Sequence, residues 1–219
     1  MTSGRLDVGG GILSGPEIER QVKLGHIEVD PFEPAHINPA SIDLTLGAAC
    51  AVIRQRGMND INPASIDLTL GAACAVICQR GMNVFPVDVA DRGTWQSDAI
   101  LPVAGMFRLS PGLLYLMHTR ERVATKRYVP VLDGKSSLAR LGVKVHETAG
   151  YGDPGYDGQY TLEVSVTLPT ILRVGMRVAQ MRFHTLVGEP LYYAGNYQGA
   201  SGPVASRVHR QFEEEDQGR

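Results

Sequence analysis

The sequence predicts a mainly β fold, a sandwich or barrel of jelly-roll type, on three observations. Apolar residues recur chiefly at period two, in short runs. The 219 residues include 25 glycines and 13 prolines, which punctuate those runs with turn chemistry. One segment alone carries a full helix-start signal. Many short strands separated by such turns close on themselves or pack as two sheets.

The helix is justified first. Ser14-Gly15-Pro16-Glu17 is an S-x-x-E capping box with proline in the first turn, Ile18 and Val22 follow at i, i+4, and Gly25 stops the run. A short helix is expected over 15–24. Next, Ile42, Leu44 and Leu46 alternate with Ser41, Asp43 and Thr45, the pattern of a half-buried strand. Strands are expected at 106–109, 113–117 and 128–132, separated by Pro-Gly and Asp-Gly turns. Tyr160, Leu162, Val164 and Val166 alternate with Thr161, Glu163 and Ser165, and a last strand is expected over 174–183. From Ser206 the chain reads Arg207, His209 and Arg210, then Glu213, Glu214, Glu215 and Asp216, too polar to pack. One domain over 1–205 with a mobile polar tail over 206–219 is therefore expected.

Composition narrows the function classes. Lys and Arg number 21 against 23 Asp and Glu, and no basic cluster stands out, so affinity resting on phosphate neutralisation of a nucleic acid is not expected. No apolar run approaches the roughly 18 residues of a membrane span, and the N-terminus shows no basic segment followed by an apolar one. The expectation is a cytoplasmic protein with no nucleic-acid or membrane partner. Three cysteines, Cys50, Cys74 and Cys78, are an odd number that fits a reducing compartment.

Residues 37–59, INPASIDLTLGAACAVIRQRGMN, recur at 61–83 with one difference, Arg54 against Cys78. Solenoid repeats need at least three units and diverge at surface positions, so this near-identity is read as a tandem 24-residue duplication, 37–60 and 61–84, inside one domain, either recent or an error of sequence assembly. Only one copy can fill the strand slot that the rest of the fold presents. Cys74 and Cys78 are then incidental, and a zinc reading of C-x-x-x-C lacks a second Cys/His pair.

The chemistry concentrates between Val131 and Val166. Gly134-Lys135-Ser136-Ser137 ends a strand and opens a helical turn through Arg140. A cation and two hydroxyls at a helix start make a polyphosphate cradle, and a serine N-cap beside a solvated lysine reads equally well. Glu163 lies mid-strand on the face of Thr161 and Ser165, where a carboxylate has a partner, a task or solvent. Asp153, in Gly152-Asp153-Pro154-Gly155, reads first as a turn residue. A zinc-dependent nucleobase deaminase would carry H-x-E and then P-C-x-x-C; His26-Ile27-Glu28 matches the first half and the second is absent from the sequence.

Taken together, GKSSLARLG, then TAG-x-x-D-P-G-Y-x-G, then T-L-E, with GILSGPEIE, INPASIDLTLG and GMRVAQMRF around them, resemble the dCTP deaminase family of the trimeric dUTPase-like fold. The resemblance implies a dUTPase-like distorted jelly-roll β-barrel assembled as a homotrimer with active sites between subunits. It implies a deoxynucleoside triphosphate substrate, dCTP or dUTP, with dTTP as a candidate inhibitor and Mg²⁺ bound through the substrate phosphates. The implied activity is zinc-independent hydrolytic deamination of dCTP to dUTP, supplying dTTP synthesis, with onward release of pyrophosphate to give dUMP in bifunctional members.

Residue by residue, Glu163 aligns with the catalytic glutamate, Ser136 and Arg140 belong to the catalytic constellation, and the Ala149 carbonyl helps position water. Asp153 aligns with the aspartate that activates water at the α-phosphate. Lys135, Ser136, Ser137, Arg140 and Tyr197 are the implied substrate-binding residues. Where the family commonly reads K-Y-x-x-Q near its C-terminus, this chain has Asn196-Tyr197-Gln198-Gly199-Ala200, losing both the lysine and the glutamine. Those losses keep two other readings open, a dUTPase lacking deaminase activity and an inactive nucleotide-binding regulatory trimer.

Overall fold

The computed structural model describes residues 10–55 and 88–212. Helix α1, Gly15–Lys23, starts where its signal lies, with the Ser14 side chain accepting from the Glu17 N–H at 3.4 Å. The capping box is not reciprocal, because the Glu17 carboxylate binds Arg20 and Gln21 instead. Strands follow in the order β1 Glu28–Asp30, β2 Ile37–Asn38, β3 Ser41–Thr45, β4 Cys50–Gln55, β5 Trp95–Ile100, β6 Met106–Leu109, β7 Leu114–Ala124 and β8 Tyr128–Gly134. After the four-residue helix α2, Ser136–Ala139, come β9 Val143–Lys144, β10 Asp157–Val166, β11 Thr170–Arg173 and β12 Arg177–Thr185.

The expected β architecture holds. One sheet runs β5-β4-β7-β10-β9 with β1 also on β7, a second runs β2-β3-β12-β8, and β11 pairs with β6. Alternation on β10 sends Leu162 and Val164 into the core with Tyr115 and Met117 of β7, all unexposed, and turns Thr161 and Glu163 to the other face. Glu163 lies opposite Leu116, and Leu116 opposite Ala51 of β4, so one sheet face runs continuously from β10 to β4.

Two strand expectations need correction. The segment 174–183 is not one strand: the chain turns through Val174-Gly175-Met176, with Gly175 at φ +78°, and this turn separates β11 from β12. Nor is β3 half-buried. Both its faces are covered, Asp43 being 2% exposed and Thr45 4%. The Thr45 N–H and hydroxyl donate to the buried Glu121 at 2.8 and 2.5 Å, while Asp43 accepts from Asn38 at 2.8 Å and from the Lys135 ammonium. These polar groups are buried because each finds a partner.

The first copy of the repeat supplies β2, β3 and β4, with Cys50 buried as a free thiol. The second copy, with Cys74 and Cys78, lies outside the described residues; of the tail expected over 206–219, residues 206–212 are described, with Ser206 and Val208 lining a cavity, and the rest lies outside.

Candidate functional site

A cavity of about 560 Å³ opens on the outward face of the β5-β4-β7-β10 sheet. Its floor follows from strand alternation: Trp95, Ile53, Leu114, Leu116, Thr161 and Glu163 project from four neighbouring strands to one side. Its walls are the loop at 149–156 and the C-terminal run from Tyr193 to Val208. Largely apolar lining around two carboxylates, Glu163 and Asp153, is the composition of a small-molecule site.

Burial raises the Glu163 carboxyl above its ordinary pKa, and the backbone N–H of Glu147, followed by the charge of His146, opposes the shift. A half-buried carboxyl that resists ionisation can exchange protons with a bound reactant. Asp153 is the turn residue its sequence context predicts, and it also lines the cavity. Its carbonyl accepts from the Tyr156 N–H at 3.2 Å, and with Pro154 and Gly155 at φ +87° it makes the turn that sets its side chain at the cavity. Ala149 lines the same wall, and the next carbonyl, of Gly150, accepts from the Leu132 N–H at 2.6 Å and ties the loop to β8.

Tyr197 is also on the wall; its hydroxyl accepts from the Arg207 N–H at 2.9 Å, and the Arg207 guanidinium lies 5.8 Å from its ring centroid. The C-terminal run is fastened to β10: Gln159 N–H to the Ala200 carbonyl at 2.8 Å, Gly202 N–H to the Gln159 side chain at 2.7 Å, and Val204 N–H to the Thr161 hydroxyl at 3.1 Å.

Glu163, Ala149, Asp153 and Tyr197 thus meet in one cavity, whereas Lys135, Ser136, Ser137 and Arg140 are not in its lining. Ser136 and Ser137 of α2, and Arg140 at its C-cap, are exposed. No side chain caps that helix, whose N-cap position is Lys135, so a serine cap is not the role of this segment. The Lys135 ammonium pairs with Asp43.

Sequence reasoning missed the aromatic wall. Tyr156 meets Tyr160 and Tyr193 edge-on at centroid distances of 4.9 and 5.6 Å, and its hydroxyl donates to the Gln159 carbonyl at 2.7 Å. Burial pushes the Tyr156 phenol up to about 12 and raises that of Tyr160 further. The Tyr160 hydroxyl is buried without a hydrogen-bond partner among the described residues, pressed against Gly152, where an added Cβ would come within 2.6 Å of it. The signal was present: six of the 8 tyrosines fall between 151 and 197.

Among the described residues no helix is long and apolar enough to cross a membrane, and no group of three or more His, Cys, Asp or Glu is arranged to hold a metal ion.

A family model described as dCTP deaminase-like matches residues 12–61 and 51–186, two pieces that meet within the repeated region. A protein of Clostridium beijerinckii named dCTP deaminase, dUMP-forming, is 32% identical over 205 residues, covering 92% of this chain and 99% of its own. A dCTP deaminase of Haloarcula marismortui is 35% identical over 207 residues, covering 90% and 94%. The crystal structure of 2'-deoxycytidine 5'-triphosphate deaminase from Agrobacterium tumefaciens shares the fold at a TM-score of 0.54 and 19% identity, over 80% of this chain and 48% of that one.

Proposed function

This chain belongs to the dCTP deaminase-like family, and we propose that it deaminates dCTP in the Glu163 cavity and carries the product onward to dUMP and pyrophosphate. The observation that carries this reading is the Glu163 carboxyl on the cavity floor, its pKa raised by burial, with Ala149 and Asp153 on the adjoining wall.

Ionised Glu163 takes a proton from water as the water oxygen bonds to cytosine C4. It then gives the proton to the departing 4-amino group, so ammonia leaves, uracil remains and the carboxylate is restored. The Ala149 carbonyl and the Ser136 hydroxyl orient that water. Arg140 places fixed positive charge beside the negative charge that develops on the base, where preorganised electrostatics count most. Asp153 activates a second water against the α-phosphate; the new P–O bond forms as the bond to pyrophosphate breaks, and dUMP is released.

Ser136, Ser137 and Arg140 are exposed and absent from their own chain's cavity lining, which supports a homotrimer in which α2 of one subunit completes the site of the next. In that arrangement Lys135 and Ser137 bind phosphate, and Tyr197 contacts the nucleotide from the cavity wall. dTTP, which lacks a 4-amino group, fits the same site as an inhibitor.

Magnesium suits a site of this kind, because the ion takes one or two carboxylates at most and otherwise phosphate and water oxygens. Asp153 is the cavity-wall carboxylate available to it beyond Glu163. When bound with the triphosphate, the ion neutralises phosphate charge. A nucleotide substrate and a free buried Cys50 support a cytoplasmic setting.

Incubation with dCTP and with dUTP, followed by chromatographic separation, tests the reading. The expected result is dUMP from dCTP. Product from dUTP alone would identify a dUTPase, and binding without turnover a regulatory trimer; neither is favoured by any feature of the cavity.

A further inference from the structure

The segment from Val145 to Tyr151 carries Glu147, whose backbone N–H holds the Glu163 pKa down against burial, and Ala149, which lines the cavity wall. Its two ends are held by backbone. Before it, β9 pairs Val143 and Lys144 with Val166 and Ser165 of β10; after it, the Gly150 carbonyl accepts from Leu132 and Tyr151 bridges to Val131. Between those anchors, one side-chain contact ties the segment back to the catalytic strand. The Ser165 hydroxyl donates to Glu147 Oε1 at 2.5 Å, and Lys144 approaches Glu147 Oε2 at 3.4 Å from the same side. Ser165 stands two residues beyond Glu163 on the same face of β10, so the clasp and the carboxylate it serves share one short piece of strand.

We infer that Glu147 and Ser165 form a positioning pair for Glu163: their side-chain bond sets the Glu147 N–H on the catalytic carboxylate and fixes the depth of the Ala149 carbonyl in the cavity. Neither residue touches substrate. Without the clasp, the segment keeps its ends but its middle is free to drift along β10, carrying the N–H away from the carboxylate and the carbonyl away from the water it orients. Displacement on the order of 1 Å in a group that aligns reactants can cost up to about 100-fold in rate. The inference rests on the reading of Glu163 as the proton-transferring group.

The test is steady-state deamination of dCTP by the full chain carrying Ser165→Ala, Glu147→Ala, both together, and Ser165→Thr. The expected result for each alanine variant is a fall in kcat of about 10-fold with KM within twofold, since positioning acts on the chemical step. The double variant should be no worse than the poorer single one, because either change breaks the same bond. Ser165→Thr keeps the hydroxyl and should restore kcat. Thermal midpoints should stay close together, both residues lying at the surface.

Should one alanine variant fail to fold, the other still breaks the bond alone. A kcat near that of the unaltered chain in a folded alanine variant, or losses that multiply in the double variant, overturns the inference. Glu163→Gln separates the two levels. If it is inactive while Ser165→Ala is not impaired, only the positioning pair falls; if Glu163→Gln still turns over dCTP, the assignment of Glu163 falls and the pair with it.

Discussion

Lys135 closes on Asp43 across 92 residues of sequence, its ammonium bound to a carboxylate that is 2% exposed. Asn38 donates to that carboxylate at 2.8 Å and Arg177 approaches it at 3.4 Å, so the charge buried in β3 is met by two cations and one amide donor. Removing a partner from a buried ion pair leaves an uncompensated charge and costs up to about 3–5 kcal/mol, less where other donors remain. Lys135→Gln should therefore lower unfolding free energy in urea by about 1–3 kcal/mol and raise the KM for dCTP. Unchanged stability would mean that Asn38 and Arg177 suffice for Asp43.

Glu163→Gln keeps the shape of the side chain and removes the proton acceptor. Deamination should fall by roughly 10²- to 10⁴-fold while dCTP binding, followed by calorimetry, persists. The same substitution has a stability signature. A carboxyl with a raised folded pKa contributes its full stability below the ordinary value and loses it as pH rises through the folded value. Glutamine, which never ionises, escapes that loss, so the variant should match the parent near pH 4 and exceed it near pH 8 in thermal unfolding. The acid limb of the rate profile should likewise lie above the ordinary carboxylate range.

Tyr160→Phe deletes a hydroxyl that is buried without a partner among the described residues. An unsatisfied buried donor costs about 1–3 kcal/mol, so this variant should be more stable than the parent, measured by urea denaturation. A loss of stability would show that the hydroxyl is bonded in solution.

Ala200 lies on the cavity wall and Asn196 is exposed, its carbonyl held by Arg207. Asn196→Lys with Ala200→Gln should tighten dCTP binding by about 1–3 kcal/mol if the new bonds include a charged one. No change in the calorimetric Kd would mean that these positions do not reach the nucleotide.

Deleting residues 37–60 hands the strand slot to a copy that differs only by Cys78 in place of Arg54. Because loop closure depends only logarithmically on length, the extra 24 residues are a small entropic burden. The greater one is a second segment of alternating apolar sequence, of a kind able to pair with other chains. The deletion should keep the circular dichroism spectrum, assembly size and kcat, and raise solubility. Loss of the fold would show that both copies are used.

Much of this was written in local pattern. The Ser14 start yields α1, Met106–Leu109 is a strand as expected, and alternation around Leu162 and Val164 turns Glu163 out of the core. What stayed hidden depends on distant partners. Asp43 reads as a solvent-facing strand residue until Lys135 arrives from β8's end, and β1 and β9, of three and two residues, are too short to show a period. The turn at Gly175 was readable in principle, a glycine between two apolar runs. The site divided the same way. Glu163, Ala149, Asp153 and Tyr197 came from motif resemblance and converge in one cavity, but the tyrosine wall is assembled from three separate segments and has no linear motif.

The run from Tyr193 to Val208 is fastened to β10 largely through backbone atoms and the side chains of Gln159 and Thr161. Of its own side chains, Gln198 joins that attachment, accepting from the Asp157 N–H at 3.2 Å and donating to the Gly155 carbonyl at 2.9 Å, whereas the side chains at 196 and 200 take no part in these bonds and can vary without loosening them. If Glu163 acts as proposed, chemistry is vested in the sheet and discrimination in a strap laid over it. On the proposed reading, substitutions such as those at 196 and 200 would retune which nucleotide is admitted while the Glu163 carboxyl beneath stays where the ladder of β7 and β10 holds it.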